Sequence, residues 1–126
     1  MLEAWYKARP EVESWQKKTK KIARKYGVTR TLMGRYRQLP EASSKQRKLV
    51  GHAERANINT PIQGGAADVA MMAMISINEN ELLKQLGWIL LLQVHDEVIL
   101  EGPEETAEEA FDEVITCMQE PWTFDL

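Results

Sequence analysis

The sequence predicts an α+β fold, in the order helix, hairpin, helix, helix, strand, strand, helix. Three observations predict it. Apolar residues recur at alternating spacings of three and four between residues 10 and 26, which is typical of an amphipathic helix. Two apolar runs, Trp88–Val94 and Val98–Leu100, resemble strands and flank a polar triplet. A last helical pattern follows Pro103, and its acidic first turns suit the positive end of a helix dipole.

Composition and charge narrow the class of protein. The 126 residues are 44% hydrophobic and 28% charged, which is ordinary for a globular domain. The net charge of -3 hides an asymmetry, because residues 1–60 carry +10 and residues 61–126 carry -13. The basic half predicts a polyanionic partner, and the acidic half predicts solvation or cation binding. The longest apolar run, Trp88–Leu92, is far shorter than the ~20 residues that span a bilayer, so we expect no membrane partner.

The first long helix is expected to begin at Pro10 and to end at Gly27. Five side chains are predicted to form its core face: Val12, Trp15, Thr19, Ile22 and Tyr26. The opposite face is rich in lysine and arginine, which fits a solvated surface as well as a phosphate-binding surface. Residues 28–39 then predict a short hairpin with a basic rim.

The middle of the chain predicts two helices joined by a bend. The first covers residues 47–59. The segment Thr60–Gln63 has the residue types of an N-cap, a proline at the first helical position and a capping box. The chain is therefore predicted to bend at Pro61 and to continue as an apolar helix to about Lys84. The small residues 64–67 at its start allow tight helix packing or the close approach of a flat ligand.

Two further features concern the acidic half. Gly87 is expected to end the apolar helix, and Cys117 is expected to be buried, since a single cysteine cannot form an intramolecular disulfide. Five residues are predicted to form the core face of the last helix: Ala107, Phe111, Val114, Ile115 and Met118.

The triplet His95-Asp96-Glu97 between the two apolar runs is a candidate metal-binding site. Ionised carboxylates beside an apolar surface are costly without hydrogen bonds or a cation, and Mg²⁺ prefers such oxygen ligands. Adjacent residues of an extended chain point to opposite sides, so either Asp96 or Glu97 would bind the metal and the other would support it. Taken alone, these three residues favour a surface turn whose acidic side chains contact only water. A metal phosphohydrolase would need several further ligands, and His52 is the only other histidine.

Three segments together resemble the family A DNA polymerases of the bacterial repair type. Residues 92–101, LQVHDEVILE, resemble the third catalytic motif of that family. Residues 31–40, TLMGRYRQLP, resemble the TLxGRxRxLP segment of the fingers. Residues 54–68 resemble the ERxxxNxPxQGxAAD segment that joins fingers to palm. The segments occur in the family's order and at about its spacing. Their residues are most similar to those of the plant organellar branch.

The resemblance implies specific roles. Asp96 would be the metal-binding catalytic aspartate of the palm, and Glu97 its acidic catalytic neighbour. Five polar side chains would contact DNA: Arg35, Arg55, Asn59, Gln63 and His95. The implied cofactor is Mg²⁺, with two ions in the complete enzyme, and the implied partners are a DNA primer-template and deoxynucleoside triphosphates. Residues 1–60 would form part of the fingers, and residues 61–126 part of the palm with a catalytic hairpin at 88–101.

The sequence also departs from the family. It contains neither the DxSxxExR-like motif with the other palm aspartate nor the RxxxKxxxFGxxYG helix that supplies cations for the triphosphate. We therefore expect the C-terminal fingers and palm part of a template-directed, two-metal DNA polymerase of replication or repair, inactive in isolation, with strands partly uncovered around Leu91 and Ile99. The alternative is a truncated, non-catalytic nucleic-acid-binding or interaction protein. The plant organellar likeness implies a mitochondrial or plastid location.

Overall fold

The structure is a computed structural model that describes residues 2–120, and for Leu2 the backbone alone. It confirms the α+β class. The chain divides into two compact units, Met1–Gly65 and Ala66–Leu126. Within residues 2–120 the elements, in chain order, are α1 (Leu2–Ala8), α2 (Pro10–Tyr26), β1 (Val28–Arg30), β2 (Tyr36–Gln38), α3 (Arg47–Asn59), α4 (Gly65–Glu79), α5 (Glu81–Leu86), β3 (Ile89–Val94), β4 (Glu97–Glu101) and α6 (Ala107–Gln119). None of these helices is long and apolar enough to cross a membrane.

The first unit has the predicted helix and hairpin, with the helix bounded by the predicted proline and glycine. Pro10 stands at the start of α2, and Gly27 ends that helix with a left-handed φ of 66°. The antiparallel hairpin of β1 and β2 follows directly, with Val28 opposite Gln38. Three alanines and one leucine form the core of the unit, because Ala23, Leu39, Ala42 and Ala53 are buried together. Alanines let α2 and α3 approach closely, which brings the hairpin beside α3.

The predicted core face of α2 is only partly correct. Ala23 is the residue of α2 that is buried, whereas Trp15, Ile22 and Tyr26 are exposed over a third or more of their surface. The reason is the contact with α3. Ala23 packs in one cluster with Ala53 of α3, so the buried face of α2 is the face that carries Ala23 and not the face of its large apolar side chains. Trp15 and Ile22 consequently border a cavity and do not enter the core.

The predicted N-cap at Thr60 is wrong. Thr60 has helical dihedral angles (φ -59°, ψ -46°), and its hydroxyl donates back to the Ala56 carbonyl at 2.7 Å. A π-helical turn at Thr60–Gly64 takes the place of the predicted bend. Pro61 has no N–H to donate to the Asn57 carbonyl one α-helical turn earlier, and that carbonyl accepts a bond from the Thr29 hydroxyl at 3.4 Å. The wide turn therefore accommodates the proline without ending the helical course of the backbone.

An ion-pair cluster joins α2 to α3. The Glu54 carboxylate lies 2.5 Å from the Arg24 guanidinium and 3.2 Å from the Lys20 ammonium. Burial acts to raise the pKa of Glu54, but the hydrogen bonds and charges of Lys20 and Arg24 outweigh it and lower that pKa below its ordinary value of 4.5. The ionised form of Glu54 therefore stabilises the first unit.

Acid is expected to weaken this unit in a way that depends on Glu54. A carboxyl group with a lowered pKa contributes stability above its unfolded pKa, and the contribution is lost as the pH falls through the folded pKa. We expect Glu54→Gln to reduce the free energy of unfolding by at most about 1 kcal/mol at pH 7, because both partners are partly exposed. Urea titrations of both chains should converge as the pH falls below 4.5 and through the lowered folded pKa of Glu54. The control, Glu13→Gln, removes an exposed pair with Lys17 and should change little; a pH-independent difference for Glu54→Gln would contradict the assignment.

The second unit opens with two helices in place of the predicted one. The expected helix to Lys84 is wrong, because α4 ends at Glu79 and Asn80 takes an extended conformation (φ -65°, ψ 120°). The Asn80 side chain accepts a hydrogen bond from the Leu83 N–H at 3.0 Å and so caps α5. Gly87 ends α5 with a φ of 80°, as predicted.

The second hairpin packs one face onto helices. Leu90, Val98 and Leu100 pack against a buried cluster that includes Leu83 and Cys117, so the predicted burial of Cys117 is confirmed. A register shift between Leu90 and Leu92 places Leu91 in a bulge. On the other face Leu91 and Ile99 are about half exposed, which confirms the expected uncovered strands.

The predicted core face of α6 is largely wrong. Ala110 and Cys117 are the buried residues of this helix, with Val114 packed beside them, whereas Phe111 is 65% exposed. The stripe 110, 114, 117 faces the core because small residues there let α6 approach α5 closely. The bulkier side chains border a cavity beside the hairpin. Of the acidic segment 61–126, residues 121–126 lie outside the described part of the chain.

Candidate nucleic-acid interface and metal-binding hairpin

Two arginines on the first hairpin reach the π-helical turn. Arg35 donates from Nη2 to the Gly64 carbonyl at 3.1 Å, and Arg37 donates from Nη1 to the Thr60 hydroxyl at 3.4 Å. Residues two apart on an extended chain share a face, which explains why both side chains point the same way. A β-carbon on Gly64 would lie 2.7 Å from the Thr31 methyl group, so only glycine allows the hairpin to approach this closely.

Three of the predicted DNA-contacting residues lie together at this turn. Asn59 and Gln63, one helical turn apart, are joined by a 2.8 Å hydrogen bond from the Asn59 amide nitrogen to the Gln63 amide oxygen. With Arg35 they line a cavity of 340 Å³. Every charged residue that lines this cavity is an arginine. The surface suits a polyanion, with amide groups beside the cations for shorter-range recognition.

Arg55, the fourth predicted residue of this unit, lies at an adjoining cavity of 530 Å³, which Asn59 also lines. Arg37 lines both cavities, although the sequence did not single it out. Its two-residue spacing from Arg35 on a predicted strand is the signal that could have identified it. Arg35, Arg37 and Arg55 thus form one basic surface in the first unit, which we call the arginine surface.

The tip of the second hairpin holds the polar triplet. Val94 pairs with Glu97, so His95 and Asp96 form a two-residue loop. His95 has a φ of 56° and is the one non-glycine residue with a positive φ between residues 2 and 120. This conformation costs roughly 1–2 kcal/mol, although histidine tolerates it better than most residues do. The Gln93 amide donates to the His95 carbonyl and helps to hold the loop. Backbone strain of this kind is typical of functional loops.

The two carboxylates stand at the mouth of a cavity. Asp96 in the loop and Glu97 at the start of β4 are both exposed, and both line a cavity of 570 Å³ that Phe111 and Met118 also line. Across residues 2–120 no group of three or more His, Cys, Asp and Glu side chains is placed to hold a metal ion. The seven predicted site residues therefore fall into two groups, four in the first unit and three in the second.

Comparison with known proteins identifies the family. The model of DNA polymerase family A matches residues 1–126, the whole chain. The chain belongs to DNA polymerase family A. DNA polymerase I B, chloroplastic/mitochondrial, of Arabidopsis thaliana is 58% identical over 118 residues, which are 94% of this chain and 11% of that protein. DNA polymerase I, thermostable, of Thermus filiformis is 40% identical over 125 residues, 99% of this chain and 15% of that protein.

A solved structure of the family agrees with the fold. The POL domain of Pol1 from M. smegmatis, in complex with DNA primer-template and dNTP, superposes with a TM-score of 0.84. It is 36% identical in sequence, and the match covers 99% of this chain and 22% of that chain. The chain thus spans about a ninth of the length of the plant polymerases and about a fifth of the solved polymerase domain. These matches confirm the family predicted from the three sequence motifs and the α+β fold class predicted from the order of helices and strands.

Proposed function

We propose that the chain forms the part of a DNA-directed DNA polymerase that holds the primer-template and supplies one catalytic carboxylate. The family match over residues 1–126 carries this proposal. Residues 1–60 are assigned to the fingers, and residues 61–126, with the hairpin at 88–101, to the palm. The arginine surface and the exposed Asp96 support the assignment, because each has the chemistry that its proposed subdomain requires.

In this proposal the first unit binds DNA through two kinds of group. Arg35 and Arg55 contact phosphates, since guanidinium groups bind phosphate oxygens well. Asn59 and Gln63 face the minor groove, where every correct base pair presents acceptors at similar positions. Because Gln63 accepts the Asn59 bond through its oxygen, its amide nitrogen remains a donor for a base. His95 in the second unit adds an imidazole near the primer end.

Asp96 is the proposed direct ligand of Mg²⁺, and Glu97 is proposed to support it. An exposed carboxylate in a short, strained loop fits a hard cation that keeps several waters and binds few protein groups. When bound, the two Mg²⁺ ions of a polymerase activate the primer hydroxyl and stabilise the leaving pyrophosphate. The residues of this chain contribute the negative charge and its orientation.

A second candidate function is non-catalytic nucleic-acid binding by the isolated chain. The net charge of +10 over the first compact unit, which has its own core, favours it. For either function we propose a mitochondrial or plastid location. The names of the plant relatives, which are chloroplastic or mitochondrial, support that location.

A segment exchange tests the polymerase proposal. The chain replaces the matching 118 residues of the Arabidopsis DNA polymerase I B, and primer extension is measured beside the unaltered enzyme. We expect the chimera to extend a primer and the isolated 126-residue chain to bind primer-template without extending it. The isolated chain should lose DNA affinity steeply as salt rises, since phosphate contacts release counterions. A chimera that melts like the parent enzyme but extends no primer would refute the polymerase proposal in favour of the non-catalytic one.

A further inference from the structure

One exposed face of α3 carries a stripe of polar side chains. Lys48, His52, Arg55 and Asn59 follow one another at spacings of three or four residues, so they lie on one side of the helix. All four are exposed. The stripe is about 16 Å long at 1.5 Å per residue, and the phosphates of one DNA strand lie about 3.4 Å apart along the duplex axis. The stripe is therefore long enough to contact several phosphates.

His52 is the member of this stripe whose side chain changes its charge near neutral pH. It lines the cavity of 530 Å³ together with Arg37 of β2 and Arg55. The Arg55 guanidinium reaches back over the preceding turn of α3, because its Nη1 lies 3.7 Å from the position that a β-carbon on Gly51 would take. His52 therefore shares this cavity with two fixed positive charges.

Among the described residues, no carboxylate lines the cavity beside these charges. Glu54, on α3 itself, pairs with Lys20 and Arg24 of α2. Glu41 is exposed in the short turn between β2 and α3 and does not line the cavity either. A charged His52 therefore has no anionic partner in this cavity until a ligand brings one.

We propose that His52 binds a backbone phosphate of DNA and takes up one proton as it does so, so that the first unit binds DNA more tightly as the pH falls from about 8 to about 6. A phosphate beside an imidazole favours the charged ring, and the linkage is reciprocal, because the proton strengthens DNA binding as much as DNA strengthens proton binding. The proton comes from the solvent and makes both ring nitrogens donors. This contact depends on the proposed binding of DNA at the arginine surface, which both candidate functions share, and adds to it a dependence on pH.

The test measures the affinity of the full 126-residue chain and of His52→Gln for DNA at pH 6 and at pH 8. Fluorescence anisotropy follows binding to a labelled primer-template without terminal phosphates, so the DNA does not titrate in this range. We expect the unaltered chain to bind about fivefold more tightly than His52→Gln at pH 6, the upper value for an exposed charge pair, and about equally at pH 8. His95 and the amino terminus also titrate here, but both chains contain them, so the difference between the chains isolates His52.

Two further variants separate a titrating charge from a fixed one. His52→Lys should bind DNA at pH 8 about as tightly as the unaltered chain does at pH 6. Lys48→Gln removes a fixed charge from the same stripe, so it should weaken binding at both pH values and keep the pH dependence. A change from pH 8 to pH 6 should also steepen the salt dependence of the unaltered chain by up to about 0.9 more than that of His52→Gln, since one more phosphate contact releases its counterion. His52 and Lys48 are exposed, so every variant should melt like the unaltered chain.

Each outcome decides the proposal. The same pH dependence in the unaltered chain and in His52→Gln overturns it, and so does a loss of that dependence in Lys48→Gln. A difference in affinity without the added salt dependence overturns the assignment of His52 to a phosphate. Should the isolated chain bind no primer-template at either pH, the same comparison is made in the chimera, whose affinity for primer-template must show the same difference. Primer extension by the chimera at pH 8 depends on none of these results, so this proposal and the polymerase proposal can fail separately.

Discussion

In the chimeric polymerase, Asp96→Ala is expected to lower the rate of primer extension by at least about a thousandfold. A carboxylate that holds a catalytic metal contributes several kcal/mol to stabilising charge in the transition state, and each 1.36 kcal/mol is a factor of ten in rate. Asp96 is exposed in a two-residue loop, so its truncation removes little packing. The loss should therefore appear in kcat at saturating Mg²⁺, with the melting temperature of the chimera almost unchanged.

Two further variants of the same chimera serve as references. Asp112→Ala makes the same chemical change at an exposed position of α6, and activity should stay within about twofold, as for most surface substitutions. Glu97→Ala should cost roughly 10–100-fold, the usual effect of a group that supports a metal ligand. A larger loss for Glu97→Ala than for Asp96→Ala would reverse their proposed roles. Near-normal activity of Asp96→Ala would remove the catalytic assignment altogether.

Features that depend on local chemistry were predictable from the sequence. Gly27 and Gly87 end helices with left-handed backbones, and Pro10 begins one, because these residue types have few alternatives at such positions. The two hairpins were likewise predictable, because runs of strand-forming residues are interrupted by polar residues or glycine where the chain turns. The family segments predicted that Arg35, Asn59 and Gln63 contact DNA, and the structure adds that those side chains line one cavity.

Features that depend on the neighbouring elements were not predictable. The periodicity of α6 identified apolar side chains, but only its contact with α5 decides that Ala110 faces the core and Phe111 does not. Thr60 has the residue type of a cap, yet the Thr29 hydroxyl can satisfy the Asn57 carbonyl and allow the helical backbone to continue. Asn57 itself gave no signal, because nothing in a single sequence distinguishes an exposed asparagine from a buried one.

Gly102→Ala is expected to destabilise the second unit by about 2–3 kcal/mol, the upper range for overpacking. A β-carbon at Gly102 would lie 2.5 Å from Cε2 and 2.6 Å from Cγ of the Trp88 indole. The indole cannot easily move, since its N–H donates to the Thr106 hydroxyl at 2.9 Å and its ring packs against the core of the unit. Urea unfolding gives the loss, and hydrogen exchange of the β3 and β4 amides assigns it to this hairpin.

We attribute this effect to the clash with the Trp88 indole and not to the backbone conformation of Gly102. A second chain that carries Trp88→Leu separates these two causes. In a Trp88→Leu chain the clashing ring is gone, so Gly102→Ala should cost less than about 0.5 kcal/mol even though Trp88→Leu itself is destabilising. Gly51→Ala, where the nearest atom lies 3.7 Å from the added β-carbon in the interior of α3, should instead stabilise the chain by about 0.5–1 kcal/mol. If Gly102→Ala lowered the free energy of unfolding equally in both chains, position 102 would require glycine for its backbone conformation. The Trp88 indole would then not be the reason for the glycine.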